Sequence, residues 1–272
     1  APLVICLTNY VSMDAMANGL LALGASPAMI HSTDELADAI KVAASIKGVV
    51  SINIGTLDEH WIRSFKKAVE CCKETGTPWV LDPVAAGFTA LRTDTARELM
   101  AIHPPAVIRG NSSEIMALAG DLGAAGKGVD STAGSDAALE AAKLLVKAYG
   151  SVVCVSGAVD YILARSEDES LSMAMCPHGV EMLTKVTAMG CLVTSVIAAF
   201  LVARPEGTSP AASTAAAMTY FNISAEMAML QGDSGPGSFR SNFLDQLYSG
   251  RKDTWLAAGR SVQTKFVSGD VS

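Results

Sequence analysis

The feature that most constrains the fold of this chain is an alternation. Short, continuously apolar, β-branched runs are separated by Ala-rich amphipathic runs. Strands are expected at 3–6, 28–31, 49–54, 79–81, 106–109 and 152–155, and helices at 14–23, 34–47, 58–75, 94–102, 112–119 and 135–149. Strands apolar on both faces belong to a parallel sheet covered on both sides. Repeated strand-then-helix order gives an α/β, doubly wound, mostly parallel central sheet with helices on both faces. Runs at 161–164 and 171–176 flank a charged segment and read as a hairpin at the sheet edge. An apolar helix is expected from Leu192, a long Ala/Met-rich helix at 210–231, a loop at 232–237 and a short closing helix at 241–248. The polar stretch 120–134 reads as a functional surface loop, and the tail from Val267 as a fraying end. With no internal repeat and no dividing linker, residues 1–272 are expected to form a single domain.

Composition removes several classes of function. Twenty basic residues against 27 acidic ones leave a net charge of −7, which argues against a nucleic-acid backbone binder. Mean hydropathy is +0.34, but the best membrane candidate runs only from Leu192 to Ala203. A span needs about 20 apolar residues, so no membrane contact is expected. None of the six cysteines forms a C-x-x-C pair and the four histidines stand apart. Reduced thiols, a cytoplasmic location and no Cys- or His-based metal site are expected. Walker A, strand-linked G-x-G-x-x-G and G-x-S-x-G patterns are all missing. That removes P-loop NTPases and disfavours a dinucleotide-dependent oxidoreductase.

Ligands of open parallel sheets sit beyond the carboxyl ends of the strands. The residues that follow each strand are Thr8-Asn9, Asn53 with Gly55-Thr56, Asp82-Pro83, Arg109-Gly110-Asn111, Ser156-Gly157 and Met189-Gly190-Cys191. The set is polar and Gly-rich, suited to handling phosphate. In Val186-Thr187-Ala188-Met189-Gly190-Cys191 a strand-like stretch is expected to turn on a glycine into an apolar helix, whose free N–H groups favour an anion. A thiol there is expected to have a lowered pKa, against the competing reading of Cys191 as a buried structural cysteine. Asn111-Ser112-Ser113-Glu114 has the spacing of a capping box; the functional alternative has Glu114 facing a nucleotide-bound Mg²⁺. Asp82 supplies a second carboxylate or a turn before proline. Arg109 pairs with a phosphate or with a neighbouring acid. Gly235-Pro236-Gly237-Ser238-Phe239 is by composition a turn.

These phrases, with the 17–29 segment Ala17-Asn18-Gly19-Leu20 through Ser26-Pro27-Ala28-Met29, Asn53-Ile54-Gly55-Thr56-Leu57, Pro78-Trp79-Val80-Leu81-Asp82-Pro83-Val84, Ile108-Arg109-Gly110-Asn111 and Gly128-Val129-Asp130-Ser131, resemble hydroxyethylthiazole kinases in order and along nearly the whole chain. The resemblance implies a ribokinase-like fold. It implies transfer of phosphate from Mg-ATP to the primary alcohol of 4-methyl-5-(2-hydroxyethyl)thiazole, in thiamine biosynthesis or salvage, by a homotrimer with active sites between subunits. It further implies that Asn9, Met29 and Ala188 bind the thiazole, Arg109 and Ser156 bind ATP, and Asp82 and Glu114 serve Mg²⁺. Gly190 would belong to the anion hole, and Cys191 would stand at the place of the catalytic base. The family usually reads Gly-Thr-Gly-Cys or Gly-Ala-Gly-Cys where this chain has Ala188-Met189-Gly190-Cys191, and Thr-Gly where it has Ser156-Gly157. The larger Met189 is expected to crowd the phosphate turn. The alternatives are a sibling kinase acting on a pyrimidine or pyridine alcohol and a non-catalytic thiazole-binding protein.

Overall fold

A computed structural model describes residues 1–122, 133–166, 168–232 and 235–250. Gly128-Val129-Asp130-Ser131, most of the stretch 120–134 and the tail from Val267 lie outside the described residues. Eight strands form one sheet: β1 (Leu3–Leu7), β2 (Ser26–Met29), β3 (Val49–Asn53), β4 (Trp79–Asp82), β5 (Val107–Asn111), β6 (Val152–Ser156), β7 (Asp160–Arg165) and β8 (Leu171–Cys176). Their order is β2-β1-β3-β4-β5-β6-β7-β8. Pairings up to β6 are parallel, and β7 and β8 add an antiparallel hairpin at the edge. The doubly wound expectation and the edge hairpin are both observed.

Among the described residues nine α-helices cover the sheet: α1 (Met13–Leu23), α2 (Leu36–Ser45), α3 (Glu59–Thr75), α4 (Ala90–Ile102), α5 (Ser112–Ala119), α6 (Ala133–Tyr149), α7 (Met189–Ala203), α8 (Pro210–Met229) and α9 (Pro236–Ser249). Successive strand residues alternate between two apolar cores. Ile5, Leu7, Val50 and Ile52 face α2 through α6. Val4, Cys6 and Val49 face α1, α7, α8 and α9. Fully buried strands explain why the sequence shows continuous apolar runs rather than alternation. Among the described residues no helix is long and apolar enough to cross a membrane.

Differences from expectation are local and have identifiable causes. β2 starts two residues earlier than expected, and its half-exposed Ser-Pro-Ala-Met sequence carries no apolar run to mark it. α4 starts at Ala90 rather than Asp94, because Thr89 caps it by accepting the Arg92 N–H. The Gly-Pro-Gly segment is not a turn. Gly235 is the N-cap of α9 and Pro236 its first residue, where the missing N–H breaks no helical bond. α9 therefore begins five residues before 241 and docks through Phe239, Phe243 and Leu247. The helix expected from Leu192 begins at Met189. The residues before it are no strand: Glu181–Lys185 form a 3₁₀ turn, and Val186 is its extended cap.

Candidate active site

Strand order reverses at β1, which lies between β2 and β3. The chains leaving β1 and β3 go to opposite faces, opening a crevice at their carboxyl ends. Asn9, just past β1, and Asn53, the last residue of β3, close that crevice. Asn9 Nδ2 donates to Asn53 Oδ1 at 2.9 Å, and Asn53 Nδ2 donates to Asp82 Oδ2 at 2.9 Å. Asp82 ends β4, one strand further on. The Thr194 hydroxyl of α7 donates to the same Oδ2 at 2.9 Å and lies 3.2 Å from the carbonyl of Gly190. Three strand ends and one helix are thus joined by a buried polar chain.

Asp82 is 2% exposed. Burial pushes its carboxyl up from 3.8 to about 6. The Arg109 charge opposes that rise, Glu114 adds to it, and the hydrogen bonds from Thr194 and Asn53 again oppose it. A carboxylate held near neutrality at a strand end has the signature of a functional group.

α7 enters this region through an unusual backbone. Its N-cap, Ala188, has φ 67° and ψ 4°, the left-handed conformation. The expected glycine turn is therefore made by alanine. Gly190 has another task, leaving room for Arg109. A Cβ at 190 would stand 3.1 Å from Arg109 Nη1, which donates to the Gly190 carbonyl at 3.2 Å. Met189 lines the cavity beside Gly190. It is 5% exposed and packs into the apolar core of α7.

Cys191, in the first turn of α7, corrects the expected thiol acidity. Its pKa is raised, not lowered. Desolvation is the main cause and the neighbouring Asp82 charge the second, while hydrogen bonds from Asn53, Ser12 and Asn9 act the other way. Unlike the other five cysteines, it is half-buried rather than buried. Asn9 Nδ2 lies 4.0 Å from its sulfur. Cys191 therefore stands at the boundary between the polar chain and solvent.

Beside α7 lies a cavity of about 680 Å³, lined by Arg109, Ser156, Gly190 and Met189 at one end and by Phe221 and Asn222 of α8 at the other. The Ser156 hydroxyl donates to the Gly110 carbonyl at 3.2 Å. Arg109 Nε is buried without a hydrogen-bond partner among the described residues. Asp160 carries a second buried carboxyl, accepting Gly157 N at 3.0 Å and Asn222 Nδ2 at 2.7 Å. Glu114 forms the full capping box. Its Oε2 accepts the Asn111 N–H at 2.8 Å, and Oε1 accepts the Ala85 N–H at 2.8 Å. Capping is thus observed, and the carboxylate still faces the Asp82 neighbourhood electrostatically.

The model of the hydroxyethylthiazole kinase family matches residues 1–252. A hydroxyethylthiazole kinase of Vibrio parahaemolyticus is 44% identical over 264 residues, covering 97% of this chain and 94% of that protein. One from Zea mays is 44% identical over 257 residues, covering 93% and 86%. The chain belongs to the hydroxyethylthiazole kinase family. A solved family structure, from Pyrococcus horikoshii OT3, superposes with a TM-score of 0.80 at 36% identity, covering 99% of this chain and 94% of that one. The pyridoxal kinase of Leishmania donovani shares the fold at 14% identity and TM-score 0.53. Family membership makes the protein a phosphotransferase with the ribokinase-like fold.

Of the residues singled out by sequence, the structure gathers Asn9, Asp82, Gly190 and Cys191 around the polar chain, and Arg109 and Ser156 at the cavity. Met29 ends β2, half-buried and opposite Cys6 of β1 in the pairing register. Sequence analysis missed Thr194, Asp160 and Asn222. Thr194 reads as a break in an apolar helix, and Asp160 and Asn222 meet across 62 residues. Ala188 holds a backbone conformation that suits glycine. Left-handed backbone costs a residue with a Cβ about 1–2 kcal/mol, partly offset by the extra freedom glycine has when unfolded. Ala188→Gly is expected to stabilise the protein by about 1 kcal/mol, raising the melting temperature by about 2–4 °C. Differential scanning calorimetry checks this, and a lower melting temperature would refute the strained turn.

Proposed function

We propose that this protein transfers the γ-phosphoryl group of Mg-ATP to the primary alcohol of 4-methyl-5-(2-hydroxyethyl)thiazole, in thiamine biosynthesis or salvage. The observation that carries this is the position of the α7 N-terminus. It lies between the Asn9 side of the crevice and the cavity that holds Arg109 and Ser156. On this reading the thiazole lies against Asn9, Met29 and Ala188. ATP lies in the cavity, its phosphates accepting from Arg109, whose Nε has no partner among the described residues.

Phosphoryl transfer is mostly alignment and charge stabilisation. The free N–H groups at the start of α7, with Gly190, receive the transferring group. Both hydrogen bonds on Asp82 end on Oδ2, so Oδ1 is the oxygen offered to a cation. Glu114 spends both oxygens on backbone N–H groups and serves the ion through water. Among the described residues no cluster of three His, Cys, Asp or Glu side chains is built to hold a metal alone. A donor set this sparse suits Mg²⁺, which keeps several waters and takes the rest of its shell from phosphate. When bound, the ion neutralises charge on the phosphates. The raised pKa of Cys191 makes its thiol an orienting group for the alcohol rather than a thiolate base. In a loose transition state the alcohol proton leaves late, so orientation carries most of the effect.

A homotrimer with active sites between subunits is part of this proposal. Tyr10, 64% exposed, and Val11 adjoin Asn9, while Phe88, 83% exposed, lies in the loop after Asp82. Exposed apolar side chains at the rim of a site support a partner surface there. The cysteine pattern supports a cytoplasmic location. Sedimentation velocity is expected to give one species near three times 28.1 kDa. A fully active monomer would refute the shared site.

The deciding assay is coupled ADP release with hydroxyethylthiazole, run beside pyrimidine and pyridine alcohols and with Mg²⁺ removed by chelation. Turnover with the thiazole alone, lost on chelation, is expected. Cys191→Ala should fold normally and turn over roughly tenfold more slowly, while Cys191→Asp keeps or exceeds the wild-type rate. Binding of thiazole without ADP release would refute the kinase reading. An Asp variant that melts far below the Ala variant and is inactive would make Cys191 structural.

A further inference from the structure

Asn53 is 1% exposed, its amide joins Asn9 and Gly55 to Asp82, and it also hydrogen-bonds the Cys191 sulfur. Its Oδ1 accepts Asn9 Nδ2 at 2.9 Å and Gly55 N at 3.0 Å, and its Nδ2 donates to Asp82 Oδ2 at 2.9 Å. We propose that Asn53 is a positioning residue that locks the alcohol-binding side of the site to the phosphate side across the β1/β3 crevice. The proposal rests on the reading of Asn9 as acceptor-side and Asp82 as phosphate-side.

Chemistry fixes the residue type and its orientation. Flipping the amide would set Nδ2 against two donors and Oδ1 against a carboxylate oxygen. Aspartate would face Asp82 with a second acceptor, and an apolar side chain would strand Asn9, Gly55 and Asp82 together. Gly55 shows how little slack the pair has. A Cβ there would stand 2.6 Å from Asn9 Nδ2 and 3.0 Å from Asn53 Oδ1. Gly55 is not in the left-handed region, so glycine at this place answers to space rather than to backbone conformation. Asn9 is fixed at its other end, where Oδ1 accepts the Ser12 N–H at 3.1 Å. Its Nδ2 is the group 4.0 Å from the Cys191 sulfur. A shift of Asn53 therefore moves Asn9 relative to Cys191 and loosens Asp82 in the same step.

Two variants separate this role from mere support of the fold. Asn53→Ala breaks both arms. It is expected to raise the KM for the thiazole alcohol about tenfold and lower kcat about tenfold, with the KM for ATP within about twofold of wild type. Gly55→Ala presses only on the Asn9 arm. It is expected to raise the acceptor KM about fivefold while kcat falls less than about threefold. Should Asn53→Ala fail to fold, Gly55→Ala decides alone. Acceptor KM and kcat both within about twofold of wild type, or an equal loss of acceptor and ATP affinity, would overturn the proposal. A wild-type protein that releases no ADP with the thiazole would refute the functional reading instead. The lock is then judged without turnover, by iodoacetamide alkylation of Cys191. Losing the hydrogen bonds that favour the Cys191 thiolate is expected to slow alkylation at least about threefold in either variant, and an unchanged or faster rate would overturn it.

Discussion

A buried carboxylate that must remain available for charge is the constraint on which the rest of this site depends. Asp82 lies at the end of a central strand, 2% exposed, with Asn53 and Thr194 both donating to one of its oxygens. Desolvation is the largest influence on it and drives its pKa upward. Arg109 supplies the opposing charge, yet its guanidinium stays turned toward Gly190 and the cavity. The polar chain around Asp82 is therefore an arrangement for keeping a costly group in one place, with one oxygen free.

The topology makes such an arrangement possible. Parallel strands deliver their carboxyl ends to one edge, and the reversal of strand order at β1 opens the crevice there. α7 packs across β1, β3 and β4 and brings its N-terminus to that opening. Asn9 and Cys191 lie on one side of the helix start, and Arg109 and Ser156 on the other. On the proposed function, an alcohol and a nucleotide meet there without either displacing the other. Ala188 accepts an unfavourable backbone conformation to start the helix at this place, which is where strain is expected if the start of α7 has a task.

Because parallel strands end together, the residues after each strand could be read from sequence as one set. Asn9, Asn53, Asp82, Arg109, Ser156, Gly190 and Cys191 all belong to that set. What could not be read was what each of them touches. Thr194 looked like a polar interruption of a core helix, and only packing shows its hydroxyl on Asp82. The spacing of Asn111 and Glu114 announced the capping box, which formed. The thiol of Cys191 was expected to gain from the helix start. Burial and the Asp82 charge outweigh that gain, and neither is visible locally in the sequence. Gly235 and Pro236 read as a turn because their composition fits a turn and a helix start equally well.

The most direct test is Asp82→Asn, with melting temperature and turnover measured together across pH. A carboxyl whose pKa is raised from 3.8 to about 6 carries no penalty below pH ~4, where it is protonated in folded and unfolded protein alike. Its penalty grows between pH ~4 and ~6, and above that the folded state holds a buried charge worth about 2–3 kcal/mol. At pH 8 the Asn variant should melt above wild type, the gap should close by pH 4, and turnover should fall at least about a hundredfold. A variant that melts no higher than wild type at pH 8, or that turns over at the wild-type rate, would contradict the account.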